Sequence, residues 1–182
     1  MELKKYKLGD IAILNKSTIC KSESFRKILY LDTSSITENV ISNIVPLDLR
    51  DAPSRAQRKV RNNTIIYSTV RPKLKHYGIL SNPQCNLIVS TGFVTIDIKE
   101  QYKNDIDPHY LYLLLTQPYV NEYIGNIAET SVSAYPSVNP SDISALCFTF
   151  PDIAIQKDIA NLWANFDHKL TLNRHINQNL CA

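Results

Sequence analysis

Apolar residues fall in two rhythms along this chain, and the change between them divides it. Through the first two thirds, short runs rich in β-branched and aromatic residues predict strands at 10–14, 28–32 (ILYLD), 64–70 (TIIYSTV), 87–98 (LIVSTGFVTIDI) and 146–150 (LCFTF). Turn chemistry flanks three of them: Asn62-Asn63, Ser81-Asn82-Pro83 and Asn139-Pro140-Ser141-Asp142. A helix is predicted from Pro108, with Asp107 as its cap and Tyr110, Leu111, Leu114 and Leu115 at helical spacing, until Pro118. A second helical piece covers 118–126 and ends near Gly125. Residues 127–141 (IAETSVSAYPSVNPS) are polar, small and Pro-bearing, which predicts a loop. Strands and helices that do not alternate as βα units predict an α+β fold, a mixed and strand-rich core rather than a doubly wound sheet.

After Pro151 the rhythm changes. Neither Pro nor Gly occurs through Ala182, and Asp152 can cap a helix. Ile155, Ile159, Leu162, Phe166, Ile176 and Leu180, with Lys169 and Asn173 filling the gap, recur at alternating spacings of four and three, an a/d heptad seam. The chain therefore reads as a domain over 1–151 and a long C-terminal helix over 152–182. That helix reaches Cys181-Ala182 without a cap, as if cut from something longer. Such a stripe is more often packed on its own domain. The strict alternation and the polar Asn173 at an a-type position favour a partner helix, for which the nearest candidate is a second copy of the chain in a homodimer.

Composition sets outer limits. The chain has 182 residues, 44% hydrophobic and 20% charged, which suits one well-cored domain with an appendage. The longest purely apolar run, Tyr110 to Leu115, is far too short to cross a bilayer, and the acidic, interrupted start makes a poor secretory signal. Cys20, Cys85, Cys147 and Cys181 are scattered, without metal-ligand spacing, as reduced thiols of a cytoplasmic protein would be. The net charge of +3 conceals an asymmetry. Residues 50–76 carry +7, with Asp51 the sole acid, so the remainder sums to −4. A one-signed stretch in a balanced domain is the footprint of a polyanion such as nucleic acid.

Catalytic signatures are missing. Four dispersed glycines make neither a P-loop nor a dinucleotide fingerprint, and there is no HExxH or GxSxG. Asp152 and Lys157 lack the second carboxylate that metal-assisted phosphodiester cleavage needs. Asn82-Pro83 and Asn139-Pro140 are not followed by the proline and aromatic of an adenine methyltransferase motif. What remains is a binding constellation. Arg55, Arg58, Lys59 and Arg61 precede the predicted strand at 64–70, and Arg71, Lys73, Lys75 and His76 follow it, with Ser68, Thr69 and Tyr77 as further contacts. A basic hairpin neutralised by acids elsewhere is the alternative. The loop 130–137 is hydroxyl-rich and free of acids, so Ser131 and Ser133 are expected near the same ligand, with Tyr135 as a packing anchor; an ordinary loop carries equal weight.

These pieces occur in a recognisable order: KLGDIAIL at 7–14, SRAQRKV…TIIYSTVRPKLKHYGIL over 54–80, STGFVTI at 90–96, DPHYLYLLLT at 107–116, and SAYPSVNPSDISALCFTFPDIAIQKDIANLWANFDHKLTLN over 133–173. Together they resemble the target-recognition domain of Type I restriction–modification specificity subunits, over nearly the whole chain. Asn62-Asn63 stands where the family commonly has Gly-Asp, and Ile155 where it has a Glu before Gln156. The resemblance implies sequence-specific recognition of duplex DNA without an active site or cofactor. Partner modification subunits would use S-adenosylmethionine to methylate adenine, and a motor–nuclease subunit would use ATP and Mg2+. Family members usually carry two recognition domains joined by two antiparallel helices, so one domain with one helix implies a half-subunit. A stand-alone nuclease or methyltransferase and a coiled-coil assembly adaptor are the competing readings.

Overall fold

A computed structural model of the chain describes residues 3–20, 26–130 and 136–180, the side chains of 174, 175 and 178–180 excepted. Strand β1 (Lys4–Lys7) leads through one helical turn, α1 (Leu8–Ile11), into β2 (Ala12–Leu14). There follow β3 (Lys27–Leu31), β4 (Ile36–Thr37), β5 (Val40–Ile41), β6 (Val45–Asp48), β7 (Ala56–Lys59), β8 (Thr64–Ser68), β9 (Tyr77–Leu80), β10 (Leu87–Ser90) and β11 (Phe93–Ile98). Helices α2 (Pro108–Leu115), α3 (Pro118–Glu129) and α4 (Pro140–Ser144) come next, then β12 (Cys147–Phe150) and α5 (Ile153–Leu180). The α+β architecture expected from the pattern is the one observed.

Two four-stranded sheets form the body. One, ordered β2-β11-β8-β9, is antiparallel throughout; the other, β6-β3-β10-β7, contains the parallel pair β3–β10. Every residue of β8 is buried. Its alternation sends Ile65 and Tyr67 toward a core shared with Leu111, Leu115 and Ile124 of α2 and α3. Ile66 faces the other way and packs with Leu31, Val89 and Phe93 between the sheets. Ile28, Tyr30, Ala56 and Ile88 form a third cluster. One buried polar knot is satisfied within the first core: the Tyr67 hydroxyl donates to the Asn121 carboxamide, which donates to the Thr116 carbonyl at 3.0 Å.

The Asp107 cap is in place, its carboxylate accepting from the backbone of His109 at 2.9 Å and Tyr110 at 3.0 Å. Other boundaries differ from expectation. The single run 87–98 is two strands in different sheets, because the chain crosses between them at Thr91-Gly92; a Cβ on Gly92 would come within 2.8 Å of Thr33 Cγ2. Helix α3 continues past Gly125 to Glu129, since that glycine faces inward where Lys73 lies across it. The predicted turn at Asn139 starts the short helix α4, closed by a capping box between Asn139 and Asp142. Residues 8–11 form a helical turn where a strand was expected from 10. Strands β1, β4, β5, β6, β7 and β9 have no counterpart in the pattern reading.

Helix α5 packs on α2 through one face. Ala160 is buried and Trp163 lies against Tyr112, 5.4 Å between ring centroids. Gln156, wholly buried, fixes the first turn: its carboxamide accepts from the Asp107 backbone at 3.0 Å and donates to the carbonyls of Asp105 and Pro151, both at 2.8 Å.

Candidate nucleic-acid interface

The carboxyl ends of β3, β8 and β10 meet on one rim. The Thr91 amide donates to the Arg55 carbonyl at 2.8 Å, so the start of β7 joins the loop after β10. The Thr69 amide donates to the Gly92 carbonyl at 2.8 Å, which brings in the loop after β8. Val138 in turn donates to Thr69 and Arg71 to the Pro136 carbonyl, both at 2.9 Å. A continuous chain of hydrogen bonds thus gathers Arg55, Thr69, Arg71 and the returning end of the segment that leaves α3. The backbone here is strained: Arg71 and Lys75 both adopt left-handed φ, 48° and 58°, on either side of a tight turn over 72–74.

The basic residues that are neighbours in sequence do not make one hairpin patch. Strand β7 runs away from the rim and β8 returns to it, so Arg55 and Arg71 lie at one end and Arg61 at the other. Arg61 lies at the opposite end from Arg55. Its Nε sits 3.5 Å from the buried Asp97 carboxylate, and its Nη2 donates to Ser17 at 3.1 Å. It borders a cleft of about 470 Å³ shared with Lys16, Asn63 and Lys103. Arg58 is half-buried along β7, its Nε without a hydrogen-bond partner, and burial lowers its guanidinium from the ordinary value. Lys59 follows it on the same strand, half-buried, its amide bonded to the Ser17 carbonyl.

Two of the expected contacts, Ser68 and Tyr77, are corrected by burial, and Lys73 is paired though exposed. Ser68 is buried and turns its hydroxyl to the Val70 carbonyl at 2.8 Å. Tyr77 is buried in the core, stacked on Tyr67 at 5.5 Å, because the β8–β9 register places the two side by side; burial pushes its phenol up. Lys73 is a strut. Its stem crosses Gly125 and its ammonium meets Glu129 at 2.5 Å. The remaining members are tethered without being hidden. Lys75 pairs with Glu38 at 2.7 Å, which holds its ammonium above the ordinary value, and His76 Nδ1 lies 2.6 Å from the Ile36 carbonyl. Ser131, Ser133 and Tyr135 lie outside the described residues.

Asp32 escaped the sequence reading. It binds the Arg55 guanidinium at 2.9 Å, and the only trace in the sequence is the acid that closes ILYLD before Thr-Ser-Ser. On α5 the predicted seam is largely open: Leu162 and Phe166 are each 58% exposed, Ile176 46% and Ile159 40%, with Ile155 half-buried and Asn173 exposed. Leu180 is among the side chains not described. Among the described residues, no group of three or more His, Cys, Asp or Glu could hold a metal ion, and no helix is long and apolar enough to cross a membrane.

Comparison with known proteins places this geometry. The Type I restriction enzyme HindI specificity subunit of Haemophilus influenzae is 30% identical over 177 residues, covering 97% of this chain and 38% of that protein. The crystal structure of the HsdS subunit from Thermoanaerobacter tengcongensis superposes with a TM-score of 0.78 at 21% identity, over 96% of this chain and 44% of that one. The S subunit of a Type-I restriction-modification system from M. genitalium gives 0.60 at 16% identity, over 93% and 40%. The chain therefore spans less than half the length of the relatives it matches. The family model for the Type I restriction modification DNA specificity domain matches residues 1–182, and the chain belongs to that family.

Proposed function

We propose that this chain is a DNA-recognition half of a Type I restriction–modification specificity subunit. It reads one part of an interrupted duplex sequence and directs methyltransferase and motor–nuclease partners to it in the cytoplasm. Residues 1–151 carry recognition, and 152–182 form the pairing helix. Chemistry, with its S-adenosylmethionine, ATP and Mg2+, belongs to the partners, and this chain carries no cofactor of its own. The observation that supports recognition is the single rim on which Arg55, Thr69 and Arg71 converge in a member of a DNA specificity family. Neither a stand-alone enzyme nor a pure adaptor draws support from that membership.

Selection from a randomised duplex pool, followed by binding titrations at several salt concentrations, tests this reading. The expected result is an enriched sequence and an affinity that falls linearly on logarithmic axes as salt rises. Arg71→Ala should flatten that slope by about one unit. Lys73→Met keeps the stem over Gly125 and removes the ammonium; affinity should change less than about twofold, because that charge already serves Glu129. No enrichment and no salt dependence would defeat the recognition role.

Pairing follows from the open seam. An exposed a/d stripe on α5 is what a second antiparallel helix would cover, and another copy of this chain supplies one about a twofold axis. Two recognition domains at opposite ends would then read a symmetric, interrupted site.

A further inference from the structure

An arginine can meet a phosphate or a base edge through two parallel hydrogen bonds, but phosphate contacts carry no sequence information. Reading a base requires the guanidinium to be held in one plane against the groove floor. Arg55 is braced in a way that favours such holding. Its Nη2 donates to Asp32 Oδ2 at 2.9 Å, and the other oxygen of that carboxylate accepts the Tyr30 hydroxyl at 3.0 Å. Tyr30 is rooted in the cluster with Ile28, Ala56 and Ile88. The Arg55 backbone is pinned as well, its carbonyl held by the Thr91 amide. A line of support thus runs from the core through Tyr30 and Asp32 to the guanidinium. The Asp32 side chain is only 21% exposed, while that of Arg55 is 56% exposed, so the brace is sheltered and the guanidinium stays accessible. Surface ion pairs between two mobile side chains have no need of such backing. The Lys73–Glu129 and Lys75–Glu38 pairs, open on both partners, are of that ordinary kind.

We propose that Arg55 reads a guanine in the major groove, donating to its O6 and N7, and that Asp32 is the positioning residue that sets the plane of the guanidinium. The inference rests on the recognition role proposed above and assigns one base contact within it. Bidentate pairing of this kind discriminates against a wrong base by about 5- to 150-fold.

The test uses the full chain on its own selected duplex. Each guanine in turn is replaced by 7-deazaguanine, which lacks the N7 acceptor. The wild type should lose affinity sharply at one position. Arg55→Ala and Arg55→Lys should both become insensitive there while still discriminating at every other position, and the lysine variant should keep the wild-type salt slope. Asp32→Asn should weaken the preference at that same position without changing the salt slope. A uniform loss on all sequences in Arg55→Ala, with the slope reduced by about one and the 7-deaza profile unchanged, would make Arg55 a phosphate contact and overturn the inference while leaving recognition intact. A wild type that selects no sequence removes both.

Discussion

Replacing Phe166 and Ile176 together by Asp is expected to convert a self-associating chain into a monomer. Both side chains are about half exposed on α5, and they flank the polar stretch through Lys169 and Asn173, so the apolar contact concentrates on them. Burying a large apolar side chain contributes about 1.5–3 kcal/mol, and a twofold interface uses each residue twice. Four buried aspartates in exchange would weaken pairing by well over a hundredfold. Sedimentation at tens of micromolar reads the result. The fold should survive, because Phe166 and Ile176 are open rather than buried against their own domain, and the contact of Trp163 with Tyr112 reports on it by near-ultraviolet circular dichroism. A wild type that sediments as a monomer at that concentration would sink self-pairing.

Gln156→Leu should be among the most destabilising single changes in the chain. The side chain is wholly buried and serves three backbone groups at once: the Asp107 amide and the carbonyls of Asp105 and Pro151. Leucine fills similar space but leaves all three without that partner, at about 1–3 kcal/mol for each buried group left unsatisfied. Losses in one network do not simply add, so about 3–5 kcal/mol is expected. Urea unfolding with matched m-values measures it. Because the same bonds tie α5 to the loop before α2, the variant's helix should also exchange its amide hydrogens faster than the sheets do. A change of less than about 1 kcal/mol would mean that water replaces the carboxamide.

What could be read from the sequence was whatever local rules decide. Asp107-Pro108 announces a helix start because capping involves only the next three residues. The seam of α5 was legible since its own domain leaves that stripe uncovered, so periodicity met no competing contact. Strand β7 was hidden because Gln57, Arg58 and Lys59 carry no apolar alternation; pairing with β10 makes it a strand. The run 87–98 reads as one strand because nothing local records that the chain changes sheets at Gly92. Strand direction, likewise, leaves no local trace in the charge pattern. Seven net positive charges close in sequence suggest one patch, yet β7 and β8 carry them toward different ends, and the acids that tether them, Asp32, Glu38, Asp97 and Glu129, come from distant parts of the chain. Tyr77 and Ser68 look like contact residues until strand register turns them inward.

Strands β1 and β12 lie side by side, from Lys4 against Phe150 to Lys7 against Cys147, and α5 departs three residues after that pairing ends. The β1–β12 pair, together with the Gln156 bonds and the packing of α5 on α2, stitches the helix on near the end of β11 where Ala12 meets Ile98. The rim sits at the other end of that strand, six residues and about 20 Å away. Loops on the rim can therefore be rebuilt without disturbing the stitch, and a foreign domain with the same stitch can be set on the same helix. On the proposed reading of the rim as the DNA-contacting end, that separation would make the part that reads DNA an exchangeable cassette and the helix a constant handle.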